Sequence, residues 1–97
     1  MLYLVIAKDG SDEGAPERRR AVREQHLKEI HPALESGALK LGGALLDGET
    51  MIGSMLLVEA GDETELRGLL ERDIYHRAGV WQSYEIYPFR RAVGLEL

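Results

Sequence analysis

The sequence predicts an α+β fold of order β-α-β-β-α-β, the split pattern of ferredoxin-like domains, with a four-stranded antiparallel sheet. Three observations carry this prediction. Apolar runs of strand length stand at 2–7, 38–46 and 50–60 and within 80–93. A hairpin signal, Asp47-Gly48, joins the two middle runs. Stretches with helix start and stop signals separate the first run from the second and the third from the fourth.

The elements follow in order. Residues 2–7 are apolar without interruption, as in strands covered on both faces. Residues 9–15 have loop composition. Pro16 suits a first helical turn and Glu17 favours its dipole. The helix is expected to run to about Ser36, with Gly37 as its C-terminal cap and a kink at Pro32 or an end near His31. Gly42-Gly43 weaken the second strand and suggest a bulge or a close backbone approach. Gly61 ends the third strand, and Asp62 with Glu65 reads as a capping box opening a helix that includes 66–73. Residues 74–79 read as a connection before the last strand. One domain over 1–97 is expected.

Alternation sorts the strands into two faces. Ile52, Ser54, Leu56, Val58 and Ala60 share the face assigned to the helices; Met51, Gly53, Met55, Leu57 and Glu59 share the other. In the last strand Val80, Gln82, Tyr84 and Ile86 lie opposite Trp81, Ser83, Glu85, Tyr87 and Phe89. Both helices of this topology cover one face. The other still carries Met, Leu, Trp, Tyr and Phe, so a homodimer packed sheet on sheet is expected.

Composition narrows the function. The 97 residues contain no cysteine, which removes disulfides, thiolate metal sites and a thiol nucleophile. A net charge of −5 argues against a general nucleic-acid binder, and no apolar run is long enough to span a membrane. The N-terminus lacks the basic region and cleavage site of a signal peptide, so it reads as structure, compatible with a cytoplasmic location. Arg18, Arg19, Arg20 and Arg23 read mostly as a solvated helix face, able to meet one small anion.

The most informative residue is Asp73. It continues the apolar stripe Leu66, Leu69, Leu70 at a helix C-terminus, where both burial and the macrodipole disfavour an acid. It therefore asks for a cationic or hydrogen-bonding partner. On the first helix the inward stripe is read as Leu27, Ile30 and Leu34, flanked by Arg23 and His26. Ser54 breaks the helix-facing side of the third strand. Taken singly, each has a structural account: an edge-of-core histidine, a snorkelling arginine, a locally bonded serine, an aspartate capping the next turn or locked in an ion pair. Four polar breaks on one side of the sheet mark a candidate site. An Asp73–His26 pair would suit proton transfer near neutral pH, with Arg23 and Ser54 binding an anionic ligand and Tyr75 as a wall or weak acid. No metal is expected, because His26 and His31 are spaced five apart and cannot share a helix face. No phosphate loop is present and no nucleophile elbow precedes Ser54.

The residues as they stand also resemble a known family. Met1-Leu2-Tyr3-Leu4-Val5-Ile6-Ala7 resembles the first strand of the YciI-like, or YCII-related, proteins, and Arg23-Glu24-Gln25-His26-Leu27 resembles their R-x-x-H-L motif. Ile52-Gly53-Ser54, Asp73-Ile74-Tyr75, Ala78-Gly79-Val80-Trp81 and Pro88-Phe89-Arg90-Arg91 resemble four further segments in register. Ile74 stands where the family has proline, and Gly43-Ala44 where many relatives have Gly-Pro. The resemblance implies a ferredoxin-like fold dimerising as a dimeric α/β barrel. It also implies a His–Asp site at His26 and Asp73, and chemistry of the dehydrochlorination or isomerisation kind on ring compounds. The combined expectation is a small dimeric lyase- or isomerase-like enzyme, with no metal or organic cofactor, acting on a small cyclic or anionic molecule. The alternative is a ligand-binding or regulatory module with the same pocket and no chemistry.

Overall fold

A computed structural model of the chain describes residues 1–95; the last two positions of the expected 1–97 domain lie outside the described residues. The elements are β1 (Leu2–Asp9), α1 (Ala15–Glu29), α2 (His31–Ser36), β2 (Leu39–Asp47), β3 (Thr50–Glu59), α3 (Glu63–Arg72), α4 (Ile74–Arg77) and β4 (Trp81–Phe89). The strands form one sheet of order β2-β3-β1-β4 with every neighbouring pair antiparallel, the ferredoxin-like α+β arrangement.

Local chemistry sets the boundaries. Pro32 has no N–H to give the preceding turn, so the helix breaks at Ile30, and Gly37 closes α2 in the left-handed conformation at φ 83°. Gly48 occupies the first position of the two-residue β2–β3 loop at φ 61°, where glycine carries no Cβ penalty. The Asp62 side chain accepts the Glu65 N–H at 2.8 Å and so caps α3, while the Glu65 carboxylate accepts the Gly61 N–H. Residues 74–79, expected to be a plain connection, contain the helical turn α4.

The core lies between the helices and one sheet face. Tyr3, Val5 and Ala7 of β1 meet Leu56 and Val58 of β3 and Leu66 and Leu70 of α3. Truncating a leucine sealed as fully as Leu66 costs about 2–5 kcal/mol. Three bulges alter the expected faces. Lys40, Ile52 and Gln82 each stand as an extra residue, since Leu39 and Leu41 pair with Val58 and Leu57, Leu45 and Leu46 with Gly53 and Met51, and Lys8 and Asp9 with Ser83 and Trp81. Two assignments are thereby corrected. Met51 turns to the helix side in place of Ile52, which is half exposed, and Trp81 enters the core with Val80 instead of lying on the open face. The open face keeps Leu4, Ile6, Met55, Leu57, Tyr87 and Phe89. Among the described residues no helix is long and apolar enough to cross a membrane.

The inward stripe of α1 is also corrected. Leu27 and Leu34 are 43% and 44% exposed, whereas Ala15, Arg19 and His26 are buried and Val22 and Ile30 partly so. The buried stripe therefore steps 15, 19, 22, 26, 30, a helical repeat whose second and fourth members are polar.

Candidate functional site

Asp73 does not sit on the face of a helix. It is the junction between α3 and α4, extended at φ −69° and ψ 141°, and its Oδ1 accepts the Tyr75 N–H at 2.8 Å. The acid thus caps α4, whose N-terminal dipole favours negative charge, and the unfavourable C-terminal placement expected for it is offset. The same oxygen lies 2.8 Å from His26 Nδ1. The imidazole stacks on the Tyr75 ring, with centroids 3.9 Å apart and planes at 8°, and Trp81 meets it edge-on at 5.9 Å. His26 is therefore held in position and orientation from three directions.

The carboxylate also decides the tautomer. An ionised Asp73 is an acceptor only, so the proton of a neutral His26 belongs on Nδ1 and the lone pair on Nε2. Nε2 has no hydrogen-bond partner among the described residues.

Beside the pair opens a cleft of about 740 Å³, walled by α1 and α2 on one side, α3 on the other, and floored by β2 and β3. His26, Asp73, Tyr75, Ser54 and Arg23 all line it, so the five positions singled out in the sequence share one cavity. Leu27, Ile30, Leu34, Leu66, Leu69 and Leu70 supply apolar walls. Arg23 is exposed and, among the described residues, makes no ion pair with a carboxylate. Burial pushes the Tyr75 phenol above its ordinary range.

Ser54 is not free. Its Oγ accepts from Arg19 Nη2 at 2.9 Å and from Trp81 Nε1 at 3.1 Å. Arg19, expected on a solvated helix face, is only 5% exposed. Its Nη1 donates to both Asp9 oxygens at 2.9 and 3.0 Å, and its guanidinium carbon stands 4.7 Å from the Tyr75 ring centroid. Burial pushes the Asp9 carboxyl upward, and the Arg19 guanidinium opposes that shift. The signal that finds Arg19 is the 15-19-22-26-30 repeat, which the stronger apolar residues Leu27 and Leu34 obscure.

Known proteins give this geometry a context. A 5-chloro-2-hydroxyhydroquinone dehydrochlorinase of Burkholderia phenoliruptrix, solved with 2,5-dihydroxybenzoquinone, shares the fold at a TM-score of 0.80 over 95% of this chain and 96% of that one, with 24% identity. A fusaric acid biosynthesis protein of Gibberella fujikuroi is 27% identical over 91% of each chain. An aspartate kinase of Fusarium oxysporum is 28% identical across 93% of this chain, which spans 18% of that protein's length. A proline–tRNA ligase of Acidothermus cellulolyticus is matched over 15% of its length at 29% identity. The model of the YCII-related domain matches residues 1–90, and the chain belongs to that family.

Proposed function

We propose that the chain is a small enzyme of the lyase or isomerase kind that moves a proton on a cyclic, anionic organic molecule. The observation that carries this reading is the unpartnered Nε2 of His26, whose ring is fixed by Asp73 beside an apolar cleft. Nε2 would take a proton from a carbon next to an electron-withdrawing group, and Asp73 would stabilise the imidazolium so formed. The C–H electron pair passes into a new double bond. Either a leaving group departs with its electrons, or His26 returns the proton at another carbon. Arg23 and Ser54 would hold the substrate anion, with Tyr75 as the wall behind the imidazole. The dehydrochlorinase whose fold the chain shares supports this class of chemistry.

Screening small cyclic carboxylates, lactones and hydroxyquinones in D2O tests the reading, with product analysis and deuterium incorporation as readouts. His26→Gln is expected to lower turnover by about 10²–10⁴-fold with little change in melting temperature. Full activity in that variant would remove His26 from the mechanism. We further propose that two copies pack through their open sheet faces. The matches inside much longer enzymes favour a second reading, a ligand-binding or regulatory module, in which the ligand is recovered unchanged.

A further inference from the structure

Proton transfer at His26 makes no use of Asp9 or Arg19, yet these are the most deeply buried charges beside the cleft, with side-chain exposures of 2% and 6%. The Arg19 fork is held at both ends, by Asp9 on Nη1 and by Ser54 on Nη2. Its Nε is buried with no partner, an arrangement that stability alone disfavours. Guanidinium and indole N–H groups can only donate, so Arg19 Nη2 and Trp81 Nε1 occupy the two acceptor positions of Ser54 Oγ. No described group accepts the hydroxyl proton. What remains to Ser54 is to donate, and it lines the cleft with His26 and Arg23.

We propose that Ser54 is an obligate hydrogen-bond donor to a ligand oxygen, held in that role by Asp9 and Arg19 as positioning residues. An ordinary serine hydroxyl turns to accept or donate as its partner requires; this one has only its proton to offer. The cleft then selects a ring that presents a carbonyl or enolate oxygen at Ser54, and discriminates against a ring with a methylene there. The donor role rests on the ligand cleft proposed above but not on proton transfer within it, since a module that only binds would need the same donor.

Two matched probes read this out: 4-oxocyclohexanecarboxylate, which carries the acceptor, and cyclohexanecarboxylate, which lacks it. Calorimetric or NMR titration of the full chain should show the ketone preferred by about tenfold, the scale of one well-placed hydrogen bond. Ser54→Ala should bring the two affinities together. Asp9→Asn leaves the hydroxyl in place and keeps an amide oxygen to accept from Arg19 Nη1, so the preference should shrink by about threefold alongside a lower melting temperature. That variant tests the proposal even where Ser54→Ala does not fold. A merely structural Asp9–Arg19 pair would change melting temperature and leave the ratio of affinities untouched, which would overturn the positioning role. No preference in the wild type, absence of binding included, would overturn the donor role. His26→Gln should keep the preference, so loss of turnover and loss of discrimination are separable results.

Discussion

Asp73 receives His26 Nδ1 and the Tyr75 N–H on the same oxygen, each at 2.8 Å, so one atom both caps α4 and orients the imidazole. Cap and orienter are chemically separable, because asparagine caps a helix about as well as aspartate but is a poor acceptor for a histidine that becomes charged. Asp73→Asn is therefore expected to change stability by less than about 1 kcal/mol. Turnover should fall by roughly 10²-fold or more, as when a catalytic histidine loses its tautomer control. Thermal melts beside product assays check this; equal activity with equal stability would leave Asp73 as a cap alone.

Arg23 invites a different test. An exposed guanidinium that makes no ion pair among the described residues contributes little to folding, and a change there normally stays within about 0.5 kcal/mol. In the function proposed above, its contribution is to binding the ligand. Arg23→Gln should weaken binding of cyclohexanecarboxylate by about tenfold or more, with a shallower dependence on salt than the wild type. Unchanged affinity and an unchanged salt slope would show that the anion is held elsewhere.

The Arg19–Asp9 pair should respond to single and paired changes in opposite ways. Arg19→Met leaves a buried carboxylate without its partner and is expected to cost roughly 3–5 kcal/mol. Adding Asp9→Leu removes that carboxylate, and much of the loss should return. Urea titrations of the single and double variants measure the coupling. A double variant as unstable as Arg19→Met would mean that the loss comes from Ser54, to which Arg19 Nη2 also donates.

The same residues show what a linear reading of the chain can reach. Asp73 was legible because an acid on the stripe Leu66, Leu69, Leu70 stands out against three leucines. His26, Ser54, Arg23 and Tyr75 followed, and all line one cleft with it. Arg19 was not legible, because it stands between Arg18 and Arg20 and its stripe contains only Ala15, Val22 and Ile30 as apolar members. The bulges were equally hidden. Alternation assumes an unbroken period of two, and each extra residue reverses the faces beyond it, which is how Trp81 and Met51 came to be placed on the wrong side.

A second aromatic–histidine contact, outside the cleft residues, predicts a pH effect. Tyr84 Oη lies 2.6 Å from His76 Nδ1, and burial, with smaller help from the Asp73 and Glu71 carboxylates, pushes the phenol up to about 12. In the unfolded chain the phenol loses its proton near its ordinary value of about 10. Between those values the folded state binds more protons. Stability from this group is thus fully present below about pH 10 and is lost as pH rises toward 12. Tyr84→Phe should flatten that alkaline decline in urea midpoints. The wild-type-minus-variant absorbance titration should place the missing phenolate near 12; a midpoint near 10 would contradict the burial described.

The open sheet face gives the last prediction. Leu4, Ile6 and Met55, each partly exposed, form its centre around a buried Leu57, with Tyr87 and Phe89 51% and 39% exposed at one side. Lys8 and Glu85, at 3.9 Å, interrupt it, and Glu59 with the N-terminal ammonium, at 2.8 Å, borders it at the other end of β1. A contiguous apolar surface of this kind is costly in water, and a two-fold packing of copies covers it without another gene product. Light scattering at micromolar concentration should return twice the 10.8 kDa chain mass. Tyr87→Glu would place an unpaired carboxylate opposite the partner's apolar face, at a desolvation cost of several kcal/mol, and should yield a folded monomer. A monomeric wild type would leave this face to another partner. A Tyr87→Glu dimer would move the contact to a different surface.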